Sequence, residues 1–104
     1  MSVIRSVIQD EYERNLRMQR AYHQELSGLP KVALVRKRIH GREYYYWAYR
    51  EGNRVLNLYV SPKEHDLDAL KKQDERRRQL KALLRNLKAE QREMERFLRI
   101  SAHG

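Results

Sequence analysis

The sequence predicts an α+β protein: an N-terminal helix, a three-stranded antiparallel β-meander, and a long C-terminal helix with coiled-coil character. Three observations carry this. Apolar residues recur at helical spacing near the N-terminus. The middle third switches to β-branched and aromatic runs parted by glycine-containing turns. From Lys63 to Ile100 there is neither Gly nor Pro. At 104 residues the chain fits one domain, 1–104, with helix 2–26, meander 31–60 and long helix 62–100.

Ser2 is the expected cap of the first helix. Ile4, Ile8, Tyr12 and Leu16 recur every four residues, and Tyr22 and Leu26 continue the stripe with drift. Ser27-Gly28-Leu29-Pro30 ends it, since Gly suits the left-handed cap and Pro cannot extend a helix. VALVRKRI, EYYYWAYR and RVLNLYV then read as strands. His40-Gly41 and Gly52-Asn53 have the length and composition of hairpin turns. Ser61, Pro62 and Glu64 form a capping-box start for the last helix.

Along that helix Leu80, Leu84, Leu87, Met94 and Leu98 follow alternating four- and three-residue steps, with Gln91 in the one gap. This is a heptad seam. Extended backward it meets Arg77, Gln73 and Leu70, and Leu83 and Phe97 widen it. The first helix is expected to pack antiparallel on part of the long one. Either the sheet folds onto the remainder of the long helix or a second chain covers it, and the apolar excess favours a homodimer. These five seam residues, with Leu56 and Leu58, are the candidate partner interface.

The formal charge is +9, unevenly spread. Residues 1–29 hold four bases and four acids, residues 30–63 eight bases and two acids, and residues 64–104 eleven bases and eight acids. The middle segment, which also holds most of the aromatics, therefore carries the largest excess. Basic charge with interleaved aromatics points to nucleic acid, whereas a charge run by itself points only to a solvated surface. Strand alternation splits the aromatics of the second strand. Tyr45, Trp47 and Tyr49 share one side, the expected core set, and Tyr44 and Tyr46 share the other, the expected surface set.

Leu29-Pro30-Lys31, Leu34-Val35-Arg36-Lys37, Gly41, Tyr44-Tyr45-Tyr46, Tyr49-Arg50-Glu51-Gly52, Val55 and Tyr59 resemble a segment of small uncharacterised bacterial and phage-type proteins. In those proteins a YYYxxYREG meander precedes a charged helix. The resemblance covers about a third of the chain and implies no activity. The βββα order with Tyr44-Tyr45-Tyr46 is more distantly similar to the arm-type DNA-binding domains of tyrosine recombinases, which lay a three-stranded sheet into the major groove. This chain departs from both patterns in the third strand, where Leu56 and Leu58 stand at positions that are basic there. Cross-strand pairing is expected to bring these leucines beside Tyr44 and Tyr46, giving a greasy face better suited to a protein partner.

Two functions follow. The first is non-enzymatic nucleic-acid binding, DNA favoured. Arg36, Lys37, Arg38, Arg42, Arg50 and Arg54 would meet phosphates, Tyr44, Tyr46 or Trp47 would pack on sugars or bases, and Lys72, Arg76, Arg77 and Lys81 would extend the track along the helix. The second is a coiled-coil interaction module, or a regulator of a nucleic-acid enzyme, with the aromatic sheet as the partner site. Catalysis is not expected. His23, His40, His65 and His103 lack metal-ligand spacing, the sequence has no cysteine, and no phosphate loop or nucleophile motif occurs. No cofactor, metal or small-molecule substrate is expected. The short apolar start and the lack of a bilayer-length apolar run predict a cytoplasmic protein without membrane contact.

Overall fold

The computed structural model describes residues 3–103, with side chains through Arg99; Ser2 lies outside the described residues. The chain folds as α1 (Val3–Ser27), β1 (Ala33–Ile39), β2 (Arg42–Glu51), β3 (Arg54–Tyr59) and α2 (Leu67–His103). The predicted layout is therefore present. No helix among the described residues is long and apolar enough to cross a membrane. The chain divides into two compact units, one combining the segment ending at Gly28 with the segment from Gln79, the other spanning Leu29–Arg78.

In the helical unit α1 lies antiparallel to the C-terminal part of α2. The Arg5 guanidinium donates to the Leu98 carbonyl at 2.9 Å, and the Asn15 amide donates to the Leu87 carbonyl, also at 2.9 Å. Of the stripe read from the sequence, Ile8, Tyr12, Leu16, Tyr22 and Leu26 are half-buried and only Ile4 is exposed. Arg5, Asn15 and Gln19 join them on the side turned to α2, half-buried or buried. Steps of four drift by about 40° each around a helix, so only alternating three- and four-residue steps hold one face against a straight neighbour. On α2 the buried leucines are Leu80, Leu84 and Leu87, with Met94 and Leu98 half-buried. This seam faces the chain's own α1, the antiparallel packing expected from the sequence.

The seam is polar toward its far end. Gln19 donates to Gln91 Oε1 and to Asn15 Oδ1, both at 2.7 Å. Gln91 donates to Glu95 at 2.7 Å, and the Tyr12 hydroxyl donates to the same carboxylate at 3.2 Å. Burial, then the neighbouring Glu95 charge, raises the Tyr12 pKa.

In the other unit the strands form one antiparallel sheet in the order β1-β2-β3. Both hairpins close on the two-residue turns read from the sequence. His40 has φ 50° and Gly41 φ 77°, the doubly left-handed pattern of a type I′ turn. Gly52 alone is left-handed at the second turn, with φ 61°, as type II′ requires. Both turns match the right-handed strand twist, so the register runs unbroken.

The long helix starts later than the capping box predicts. Ser61 instead supports one isolated turn, its carbonyl accepting from the Glu64 and His65 amides. Asp66 is the cap: its carboxylate accepts from the Ala69 N–H at 3.2 Å and its carbonyl from Leu70. A carboxylate at the positive helix end is favoured by the helix dipole as well as by its bond to the backbone, an advantage the Ser61 hydroxyl lacks.

Asp74 ties α2 to the sheet. It is 5 % exposed, and one carboxylate oxygen accepts from the Leu34 N–H at 3.1 Å and from Arg77 Nη2 at 2.9 Å. The other accepts from Arg78 through Nε at 2.8 Å and through Nη2. Arg78 also reaches the Leu34 carbonyl. Burial pushes the Asp74 pKa up, but the bonds from Leu34, Arg77 and Arg78 outweigh it and hold the group below 3.8.

Asp74→Ala should therefore cost about 3–5 kcal/mol, because it leaves Arg77 and the Leu34 N–H buried without their acceptor; urea unfolding measures it. Arg78→Ala should cost no more than about 1 kcal/mol, since that side chain is largely exposed. A depressed carboxylate stabilises the fold above its unfolded pKa. Wild-type stability should thus be full above about pH 4 and fall as the pH drops further, and Asp74→Ala should flatten that acid limb.

Candidate functional site

Directly paired residues share a sheet face, so the register assigns every side chain. Leu34 pairs with Trp47, which pairs with Leu58. Arg36 pairs with Tyr45, Arg38 with Glu43, Tyr49 with Leu56, and Glu51 with Arg54. These residues form the inner face, which α2 partly covers within this unit. Lys71 Nζ sits 4.5 Å from the Tyr45 ring centre, and Leu34, Arg36 and Tyr45 line one cleft with Lys71, Asp74 and Arg78. Charges on this face are largely matched: Arg36 lies 3.5 Å from Glu43, which also accepts from the Tyr45 hydroxyl.

The opposite face carries Val35, Lys37 and Ile39 from β1, Arg42, Tyr44, Tyr46, Ala48 and Arg50 from β2, and Val55, Asn57 and Tyr59 from β3. Three tyrosines meet at its centre. The Tyr59 ring lies 5.7 Å from Tyr46 at 62° and 6.3 Å from Tyr44 at 55°, offset edge contacts that the ring quadrupoles favour. Lys37 Nζ stands 4.9 Å over the Tyr46 ring. Tyr59 remains 50 % exposed. Among the described residues, both acids of the strands, Glu43 and Glu51, point to the inner face, while Lys37, Arg42 and Arg50 stand on the tyrosine face.

The sheet thus divides the predicted basic residues. Lys37, Arg42, Tyr44, Tyr46 and Arg50 come together, whereas Arg36, Arg38 and Arg54 stand on the other side. On α2, Arg77 is buried against Asp74 and offers no free charge to a ligand. Lys72 is exposed but lies about 200° around the helix from Asp74, as does Arg76 in the other sense. Neither continues the tyrosine face. Lys81 is exposed in the helical unit.

Leu56 and Leu58 do not flank Tyr44 and Tyr46. They pair with Tyr49 and Trp47 on the inner face, and Leu58 is 59 % exposed. The expected core set is accordingly incomplete: Tyr45 and Trp47 are half-buried and Tyr49 is exposed. The residue the sequence reading passed over is Tyr59. Its signal was the two-residue turn at Gly52-Asn53, which pairs Glu51 with Arg54 and, counted back strand by strand, Tyr46 with Tyr59.

Among the described residues no group of His, Asp or Glu gathers to hold a metal ion. No family model, curated protein sequence or solved structure matches the chain.

Tyr59→Ala should lower stability by about 1–2 kcal/mol, since it removes both ring contacts. Lys37→Ala should cost less than about 1 kcal/mol, the range of an exposed cation–π contact. Urea titration of each variant checks the ranking.

Proposed function

We propose that this protein binds nucleic acid, DNA in the first instance, through the tyrosine face of its sheet. The observation that supports it is charge segregation: Lys37, Arg42 and Arg50 share a face with Tyr44, Tyr46 and Tyr59, and the strand acids turn away. A polyanion meets attraction there without nearby repulsion. The three cations contact phosphates. The tyrosine hydroxyls donate to phosphate or sugar oxygens, and the ring edges pack on sugars.

Two features favour a duplex over an unstacked single strand. The rings pack on one another instead of splaying as separate platforms for single bases. The outer backbones of three strands lie about 10 Å apart, which suits a major groove of about 12 Å. The protein acts by binding and performs no chemistry on its target.

The test is fluorescence anisotropy with labelled duplex DNA, single-stranded DNA and RNA over a salt series. Duplex affinity should fall with salt at a log–log slope of about −2 to −3, as expected for roughly three neutralised phosphates. Lys37→Ala and Arg50→Ala should each make the slope shallower by about 1, whereas Arg38→Ala on the opposite face should leave it unchanged. Salt-insensitive or absent binding at low ionic strength would overturn the proposal. Equal losses from Arg38→Ala and Arg50→Ala would remove the tyrosine face as its seat.

A further inference from the structure

The two edges of the sheet are treated differently. The amide of Val60 donates to the Tyr45 carbonyl at 2.9 Å. This fixes which main-chain groups of β3 point toward β2 and which point away. By alternation the outward N–H and C=O groups of β3 belong to Val55, Asn57 and Tyr59, and those of β1 to Leu34, Arg36 and Arg38. The β1 edge is blocked. Asp74 and Arg78 occupy both outward groups of Leu34, and Arg36, Lys37 and Arg38 place consecutive charges along the strand. Charges are the usual guard against edge pairing.

The β3 edge has no such guard. From Val55 to Val60 it carries no charge and no proline, and no bulge interrupts its register. Val55 is 61 % exposed, with Leu58 and Tyr59 nearly as open. The strand is also palindromic in character about Asn57: Val55-Leu56-Asn57-Leu58-Tyr59 presents apolar, leucine, polar, leucine, apolar in either direction. Two antiparallel copies crossing at Asn57 would pair Val55 with Tyr59 on the tyrosine face and Leu56 with Leu58 on the inner face. From Val55 to Tyr59 every contact is then apolar on apolar except the central asparagines, and at each end Arg54, an exposed residue, stands opposite Val60. A one-residue slip would set side chains of opposite faces against each other.

We propose that β3 is a homodimer edge, two copies of the chain pairing antiparallel around a twofold axis at Asn57 and merging their sheets into one. A second copy is the occupant because the strand is complementary to itself. The inference goes beyond nucleic-acid binding and stands without it, since the dimer forms in the absence of any nucleic acid.

The test uses the full chain alone. Light scattering behind size exclusion should give twice the chain mass, falling toward one chain on dilution. The Asn57 N–H points outward, so Asn57→Pro removes a donor that only the dimer uses. It should shift the mass to that of one chain while leaving circular dichroism and the melting transition of the monomer intact. Leu58→Lys should do the same by setting a charge beside Leu56 of the second copy. Val7→Glu, on the exposed start of α1, should leave the dimer unchanged. The chain has no native cysteine, which permits a direct readout of register. Hydrogen-bonded antiparallel pairs stand about 5.5 Å apart at Cα, within disulfide reach. Asn57→Cys should therefore form a covalent dimer under mild oxidation, while Lys63→Cys stays largely uncross-linked. One-chain mass at every concentration would overturn the proposal, as would a dimer that survives both Asn57→Pro and Leu58→Lys. If either variant fails to fold, the cross-linking comparison decides: equal yields from Asn57→Cys and Lys63→Cys overturn it.

Discussion

The Asp74 carboxylate is the constraint on which the sheet unit depends. A buried charge is tolerated only when donors surround it, and Asp74 draws them from two sources: the Leu34 amide of an edge strand, and Arg77 and Arg78 of its own helix. Because the strand donor is main chain, the bond fixes the height of α2 along β1 as well as its distance. Leu34 is then 6 % exposed, and Tyr45 lies beneath Lys71. Which sheet face is inner follows from this contact, and so does which face is left to meet other molecules. The small apolar core alone would determine neither, since both faces of the sheet carry aromatics.

Once the inner face is set, alternation does the rest. Each strand places successive side chains on opposite sides, so acids and bases two residues apart accumulate together and those one residue apart are separated. Glu43 follows Arg42 directly in sequence, yet the two residues serve opposite surfaces. The chain's positive charge looks diffuse when counted by segment. In the sheet it resolves into an inner face where Glu43 and Glu51 offset most of the charge of Arg36, Arg38 and Arg54, and an outer face with cations alone. The tyrosines reinforce the division, because Tyr59 locks Tyr44 and Tyr46 into one fixed apolar bed beside Lys37.

Much of this layout was legible in the sequence. The hairpins were, because His40-Gly41 and Gly52-Asn53 supply the left-handed backbone that tight turns demand. The split between Tyr44 and Tyr46 on one side and Tyr45, Trp47 and Tyr49 on the other was legible too, since it needs only the period of a strand. What failed needed information across elements. Leu56 and Leu58 were placed on the wrong side because a face within one strand says nothing about its neighbour until the register is counted. Arg77 read as a phosphate contact because its burial depends on Asp74 and on Leu34, forty residues before that carboxylate in the chain. The start of α2 was read at the Ser61 capping box, whereas the cap that forms is Asp66, whose carboxylate accepts from the Ala69 N–H. Ile4 falls off its stripe for a geometric reason: helix-to-helix packing follows alternating three- and four-residue steps, and steps of four drift away from it.

The polar stretch between α1 and α2 has a consequence for how the chain finds its fold. Apolar contact by itself specifies a helix pair's alignment weakly, since one apolar side chain can take another's place after a slip. Asn15 removes that ambiguity. It is 3 % exposed and bonded to the Leu87 carbonyl, while its own oxygen accepts from Gln19, which also reaches Gln91. A slipped alignment would strand this amide against apolar side chains with its bonds unmade. The network therefore specifies alignment: an arrangement that leaves the Asn15 amide without the Leu87 carbonyl is penalised, whatever its apolar contacts.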